Sequence, residues 1–285
     1  MHQQPAPSLT LTHLADLRVS AASALVCADE QLWLVADDAL VLQRYQLNGN
    51  YAGELTLLPG ALPADAAARK ARKPDFEALA RLPDGALLAL GSGSTVQRRR
   101  GCLVRGGEVQ VIDLGPLYRH LEQAFAELNI EGAVVRGEQL LLAQRGNGAA
   151  AQNALVLLDL ARVLSDLAAG QLSAAAVQRL IAVPLGELDG VPLGLTDLAL
   201  DARGRLYCSA AAEASASTYL DGACSGSLLA RFDEEFQLVW QARLQPAVKI
   251  EGLACHADGH WLLVADADDP QRPASLFRLA ADALG

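Results

Sequence analysis

The sequence predicts an all-β protein: a single β-propeller of five four-stranded blades, its ring closed by the N-terminal strand. Three observations predict it. A short motif recurs at Ser23, Glu77, Glu131, Thr196 and Glu251, at spacings of 54, 54, 65 and 55 residues, which is the self-similarity of a repeat architecture. Each motif opens an apolar run that is followed by a turn and a second apolar run. Hydrophobic residues make up 52% of the 285 residues and aromatic ones only 5%, so Ala and Leu must fill a large core. The 65-residue interval is wide enough to hide an extra strand pair, which leaves six blades as the alternative.

The elements follow in chain order. Residues 8–14 (Ser-Leu-Thr-Leu-Thr-His-Leu) alternate as a strand does and precede the first repeat. The first strand pair is residues 23–27 and 32–36, joined by Ala28-Asp29-Glu30-Gln31. Later pairs use Pro83-Asp84-Gly85 and Ala257-Asp258-Gly259, and an Asp-Gly between apolar runs is a hairpin signal. Third and fourth strands are less regular. The last unit runs short after Ser275-Leu276-Phe277-Arg278-Leu279, so residues 8–14 are expected to complete it and remove an open edge. On this reading residues 1–285 form one domain, with blades starting near 23, 77, 131, 196 and 251.

Three stretches break the pattern. Residues 58–73 are a Pro/Ala-rich connection carrying Arg69, Lys70, Arg72 and Lys73. Residues 116–128 place Leu117, Leu121, Phe125 and Leu128 at helical spacing behind Pro116, which predicts an amphipathic helix on one end of the ring. Residues 159–167 predict a short helical insertion.

The formal charge of −10 disfavours a nucleic-acid partner, because an acidic surface repels phosphates. No apolar run approaches the roughly 18–20 residues of a membrane span. The N-terminus lacks the basic and apolar regions of a secretory signal, so a cytoplasmic location is expected. Five scattered cysteines without a C-x-x-C pair suggest neither a disulfide framework nor a zinc site.

The first strand of each propeller blade lines the central axis, so the motif residues converge there. Glu77, Glu131, Asp197 and Glu251, with Lys73, Lys249 and Arg145, are the expected ligand-binding set. Asn129 and Asn147, Ser92 and Ser94, Asp37 and Asp38, and Asp266, Asp268 and Asp269 are expected at the same end of the channel. Hard oxygen ligands around an axis suit a divalent cation, Ca²⁺, Mg²⁺ or Mn²⁺, on Glu77, Glu131 and Glu251. Alternatively the basic side chains neutralise the ring and leave a polar pocket for a small molecule, ion or peptide. In a third, purely structural role, each glutamate accepts hydrogen bonds from backbone amides of the adjoining blade and locks the ring. Two further motifs are weaker. Gly91-Ser92-Gly93-Ser94-Thr95 reads as a turn leaving the channel rather than a phosphate loop, since it lacks the Gly-Lys-Ser/Thr ending. Arg98-Arg99-Arg100 reads as a solvated hairpin tip, with an anion grip as the sharper alternative.

The phrases Lys73-Pro74-Asp75-Phe76-Glu77-Ala78-Leu79 and Lys249-Ile250-Glu251-Gly252-Leu253-Ala254 resemble the acidic Glu-Gly-Leu signature of the bacterial SdiA-regulated propellers and the esterase-like phytase propellers. More distantly the chain is similar to the regucalcin and gluconolactonase group. That resemblance implies a metal ligand at Glu251 or Glu131, with Asn129, Asn147 and Asp197 as the remaining candidates nearby. It implies a metal-dependent hydrolase of a phosphoester or lactone as an alternative to a binding module. A protein–protein scaffold acting through residues 58–73 and 116–128 is a further alternative. Neither catalytic residues nor an oligomeric state are read from the sequence.

Overall fold

The computed structural model describes residues 7–146, 152–213 and 224–284. Its strands form five sheets around one axis. Blade 1 consists of Ala22–Ala28, Gln31–Ala36, Val41–Gln46 and Tyr51–Thr56. Blade 2 consists of Phe76–Arg81, Leu87–Gly91, Arg100–Arg105 and Glu108–Asp113, and blade 3 of Ile130–Arg136, Gln139–Gln144, Ala154–Asp159 and Val177–Ala182. Blade 4 holds Val191–Leu200, Leu206–Glu213, Cys224–Phe232 and Leu238–Gln245. Blade 5 holds Lys249–Cys255, Trp261–Asp266 and Ser275–Leu279, with Thr12–Asp16 as its fourth strand. The five-bladed ring closed by the N-terminal strand is therefore the fold. The long interval holds no sixth blade; it contains the helix Leu160–Ala168 and a two-residue strand, Glu187–Leu188, paired back on blade 4.

The N-terminal run divides its pairing. Ser8–Thr10 pairs in parallel with the outer strand of blade 4, at Arg243 to Gln245. Thr12–Asp16 then pairs antiparallel with Ser275–Leu279. One segment thus covers two sheet edges, which leaves fewer unpaired backbone groups for other chains.

Five apolar clusters make the core, and each lies between neighbouring blades. The second strands read as unbroken apolar runs because both faces are covered; Leu87–Gly91 is buried throughout. The cluster between blades 2 and 3 also takes up Leu117, Leu121, Phe125 and Leu128. The helix carrying the first two is shorter than the spacing predicts, Gly115–Leu121, and the chain reaches Phe125 and Leu128 through turns. The 58–73 connection contains a helix, Ala66–Arg72, whose N-cap Asp65 accepts a bond from the Ala68 amide at 2.8 Å. An Asp before an Ala/Lys/Arg run is a readable helix start.

At the head of every inner strand the pairing register slips by one residue. The slips fall between Ala22 and Ala24, Phe76 and Ala78, Ile130 and Gly132, Leu195 and Asp197, and Ile250 and Gly252. The unpaired residue is Ser23, Glu77, Glu131, Thr196 or Glu251, so the recurring motif is a β-bulge. A bulge bends the strand and re-aims one side chain, here at the place where five strands crowd the axis. The crowding explains the glycine of the Glu-Gly pair. A Cβ on Gly132 would stand 2.7 Å from Asp197 Cα and 2.9 Å from the Leu198 nitrogen, and one on Gly252 would stand 3.0 Å from Ala24 Cα. Among the described residues no helix is long and apolar enough to cross a membrane.

Because two of the three nearest atoms met by each of these Cβ groups belong to backbone, Gly132→Ala and Gly252→Ala should each lower stability by about 1–3 kcal/mol through overpacking. Urea denaturation checks this, and unchanged midpoints in both variants would show that the inner strands are not in contact there.

Candidate functional site

A cavity of about 250 Å³ opens at the bulged end of the channel. Among the described residues its charged lining comprises ten carboxylates and six lysine or arginine side chains, a formal excess of four negative charges. The strand period of two explains the layers. One layer is the bulge residue of each blade. The next, two residues earlier, is Ala21, Asp75, Asn129, Gly194 and Lys249. A third follows the second strands and includes Asp37, Ser92, Arg145 and Asp266.

One side of the ring is filled from within. Arg145 of blade 3 lies across blade 4, where Gly194 leaves space; a Cβ there would stand 2.9 Å from Arg145 Cγ. Its guanidinium donates from Nη2 to Glu213 Oε2 at 2.7 Å and from Nη1 to Glu131 Oε2 at 3.3 Å. The same Nη1 is 3.5 Å from Glu251 Oε1. Lys249 Nζ adds ion pairs to Asp268 at 2.8 Å, Glu251 at 3.0 Å and Glu213 at 3.5 Å. Asn129 Nδ2 donates to Glu131 Oε1 at 2.5 Å. Two atoms are left over: Glu251 Oε2 and Arg145 Nε are buried without a hydrogen-bond partner.

On the other side, Lys73 Nζ is ion-paired with Asp37 and stands 2.9 Å from Asp75 Oδ1. Asp75 is held further by Ser92 Oγ at 2.5 Å and Arg98 Nη1 at 2.7 Å. Arg98 is therefore buried in the wall and also donates to Ser94 Oγ at 2.8 Å. This corrects both readings for Arg98, which is neither a solvated tip nor free for an anion, whereas Arg100 is exposed and Arg99 pairs with Glu122. Gly91, at the start of the adjoining loop, allows this packing; a Cβ would stand 2.4 Å from the Arg98 carbonyl oxygen.

Glu77 differs from the other two glutamates. It lines the cavity half-buried and makes no hydrogen bond or ion pair among the described residues. Burial pushes its carboxyl well above the usual range, reinforced by Glu131, Asp75 and Asp37 and opposed by Lys73. Burial likewise raises Glu131 to about 7 despite Arg145, Asp266 to about 7 despite Lys249, and Asp37 to about 6 despite Lys73. Carboxyls of like charge crowded in a low-dielectric space cannot all ionise cheaply.

The structure brings Glu77, Glu131, Glu251, Lys73, Lys249 and Arg145 to one cavity, together with Glu213, Asp37, Asp75 and Arg69. Asp197 behaves otherwise. Its Oδ1 accepts from the Leu198 amide at 2.7 Å and its Oδ2 from the Leu253 amide at 2.9 Å, tying blade 4 to blade 5. Backbone locking is thus the work of Asp197, whereas Glu131 and Glu251 bond side chains. Asn147 lies outside the described residues. Of the three glutamates considered for a metal, only Glu77 belongs, among the described residues, to a group with ligand spacing, in which Asp37, Asp75 and Glu77 offer oxygens within 4.8 Å of one another. Arg145 lying over Gly194 had one sequence signal, the glycine itself, and the partner it accommodates is visible only in three dimensions.

Among solved structures, the glutaminyl cyclase of Myxococcus xanthus superposes with a TM-score of 0.55 at 13% identity, covering 97% of this chain and 98% of that one. The virginiamycin B lyase of Staphylococcus aureus gives a TM-score of 0.41 at 10% identity, over 89% of this chain and 66% of that one. The likeness to the cyclase concerns the fold alone. No curated protein matches the sequence. The model of DUF6929, described as a family of unknown function, matches residues 18–280, and the chain belongs to that family.

Proposed function

We propose that this propeller is a binding module for a small ligand that presents a positively charged group to the acidic end of its channel. The observation that carries the reading is Glu77. Two of three bulge glutamates have internal cations, Arg145 and Lys249, supplied by blades 3 and 5. The third has no ion pair among the described residues and feels only the Lys73 charge at longer range. Beside it, the head of the inner strand of blade 1 contributes only Ala21 and Ser23, whose hydroxyl turns back to the Ala21 carbonyl at 3.3 Å. The open half of the ring is therefore the half with an unmatched carboxylate. A ligand cation would do for Glu77 what Arg145 does for Glu131 and Glu251. Among the described residues no aromatic ring lines the cavity, and its carboxylates suit an amine or guanidine with N–H donors.

A divalent ion on Asp37, Asp75 and Glu77 is the second reading, favoured by their spacing. It meets an obstacle in Lys73, whose ammonium already pairs with Asp37 and Asp75. A hydrolase of the kind implied by the phytase-like and lactonase-like resemblance would depend on that metal, so it stands or falls with the displacement of Lys73.

Three outcomes are expected. In calorimetry with butylamine as probe, Glu77→Gln should weaken binding at least roughly ten-fold, the usual scale of a charge-assisted hydrogen bond; equal affinities would remove Glu77 from the site. In thermal melts with Ca²⁺ or Mn²⁺, wild type should not shift, whereas Lys73→Met should gain a shift because two carboxylates are freed. A wild-type shift would favour the metal.

The third outcome concerns pH. Glu131, Asp266 and Asp37 have folded-state pKa values above their ordinary ones, so the native state holds protons that the unfolded chain releases. Their contribution therefore declines as pH rises from about 4 through about 7. The cationic probe favours ionised carboxylates, so its stabilising effect should grow over the same window. Melting curves at pH 5 and pH 8 with and without butylamine test both signs, and a ligand effect larger at pH 5 would contradict the reading.

A further inference from the structure

The cavity also carries an unmatched cation. Arg69, on the helix Ala66–Arg72, lines it beside Asp38, and the ion pair between them is loose, with Arg69 Nε 3.6 Å from Asp38 Oδ2. No hydrogen bond engages either Nη of Arg69 among the described residues. The two other arginines of the cavity are used up differently: Arg98 bonds Asp75, Ser94 and the Lys70 carbonyl, and Arg145 bonds Glu131 and Glu213. A guanidinium is a planar fork suited to carboxylate oxygens, and this one lines the same cavity as Glu77.

We infer that the ligand is a small zwitterion of the amino-acid type, with its ammonium group on Glu77 and its carboxylate on Arg69. The inference rests on the cation-binding reading of Glu77. The formal excess of four negative charges among the described lining residues disfavours an anion; a carboxylate can enter where it meets a cation with donors to spare, and Arg69, only loosely paired with Asp38, is such a cation. Glu251 adds an unused acceptor at the wall of the same cavity. The residue is only 5% exposed, and its Oε2 is buried without a hydrogen-bond partner, although buried acceptors are nearly always satisfied. Size agrees as well: about 250 Å³ is the room of roughly eight waters, enough for one amino acid. The described lining residues are mostly small, polar or charged, which suits recognition by charged ends.

The test is calorimetry on the full chain with glycine, L-alanine, β-alanine and 4-aminobutanoate, beside butylamine and butanoate as single-charge probes. At least one zwitterion should bind roughly ten-fold or more tightly than butylamine, and butanoate should not bind detectably. In Arg69→Gln that advantage should disappear, so that the best zwitterion and butylamine bind alike. Butylamine matching the best zwitterion in wild type, or the advantage persisting in Arg69→Gln, overturns this inference while leaving Glu77 as a cation acceptor. Wild-type binding of neither class, or zwitterion binding that survives Glu77→Gln, overturns both readings. Arg69 is partly exposed, and a thermal melt of Arg69→Gln at the wild-type temperature establishes that a lost advantage is not a loss of fold.

Discussion

The constraint on which the rest depends is the convergence of five bulged strands on one axis. Each bulge turns a side chain inward at the same height, into a space too small for water to screen charge well. Carboxylates placed there raise one another's cost of ionisation, and only nearby cations lower it. Charge balance at the axis therefore decides which bulge residues are tolerable. Ser23 and Thr196 relieve two of the five positions, and Thr196 is satisfied by Ser209 Oγ at 2.8 Å.

The balance is reached unevenly. Arg145 is the central cation on one side, bonded to Glu131 and Glu213 and close to Glu251. Its placement depends on an absence, the missing side chain of Gly194. Lys73 and Arg98 do comparable work for Asp37 and Asp75. Buried pairs of this kind contribute little net stability relative to an apolar core, yet breaking one leaves an uncompensated charge. The network consequently fixes geometry more than it adds stability, and it leaves Glu77 and the Arg69 fork less engaged than the other charged groups of the cavity.

Much of the fold was legible because repetition repeats its physics. The spacing of Glu77, Glu131 and Glu251, the Asp-Gly turns and the apolar second strands each recur for a reason that needs no knowledge of the neighbours. The helix Ala66–Arg72 was missed although Asp65 and the Ala/Lys/Arg run announce it. The split of the N-terminal strand was not legible, since pairing with blade 4 depends on where Leu238–Gln245 presents its edge. At the site, residue identities were legible and pairings were not: Glu131 and Arg145 are near in sequence, but Arg145 and Glu213 are separated by 68 residues.

The sequence by itself determined the architecture, the height at which acidic residues gather and the residues that gather there, because period and strand alternation are local properties. Tertiary structure alone decided what each carboxylate does. It gave Asp197 two backbone amides, Glu131 and Glu251 an arginine and a lysine, and Glu77 no hydrogen bond or ion pair among the described residues, because partners around a ring are set by which blades adjoin and by which side chain finds room to cross.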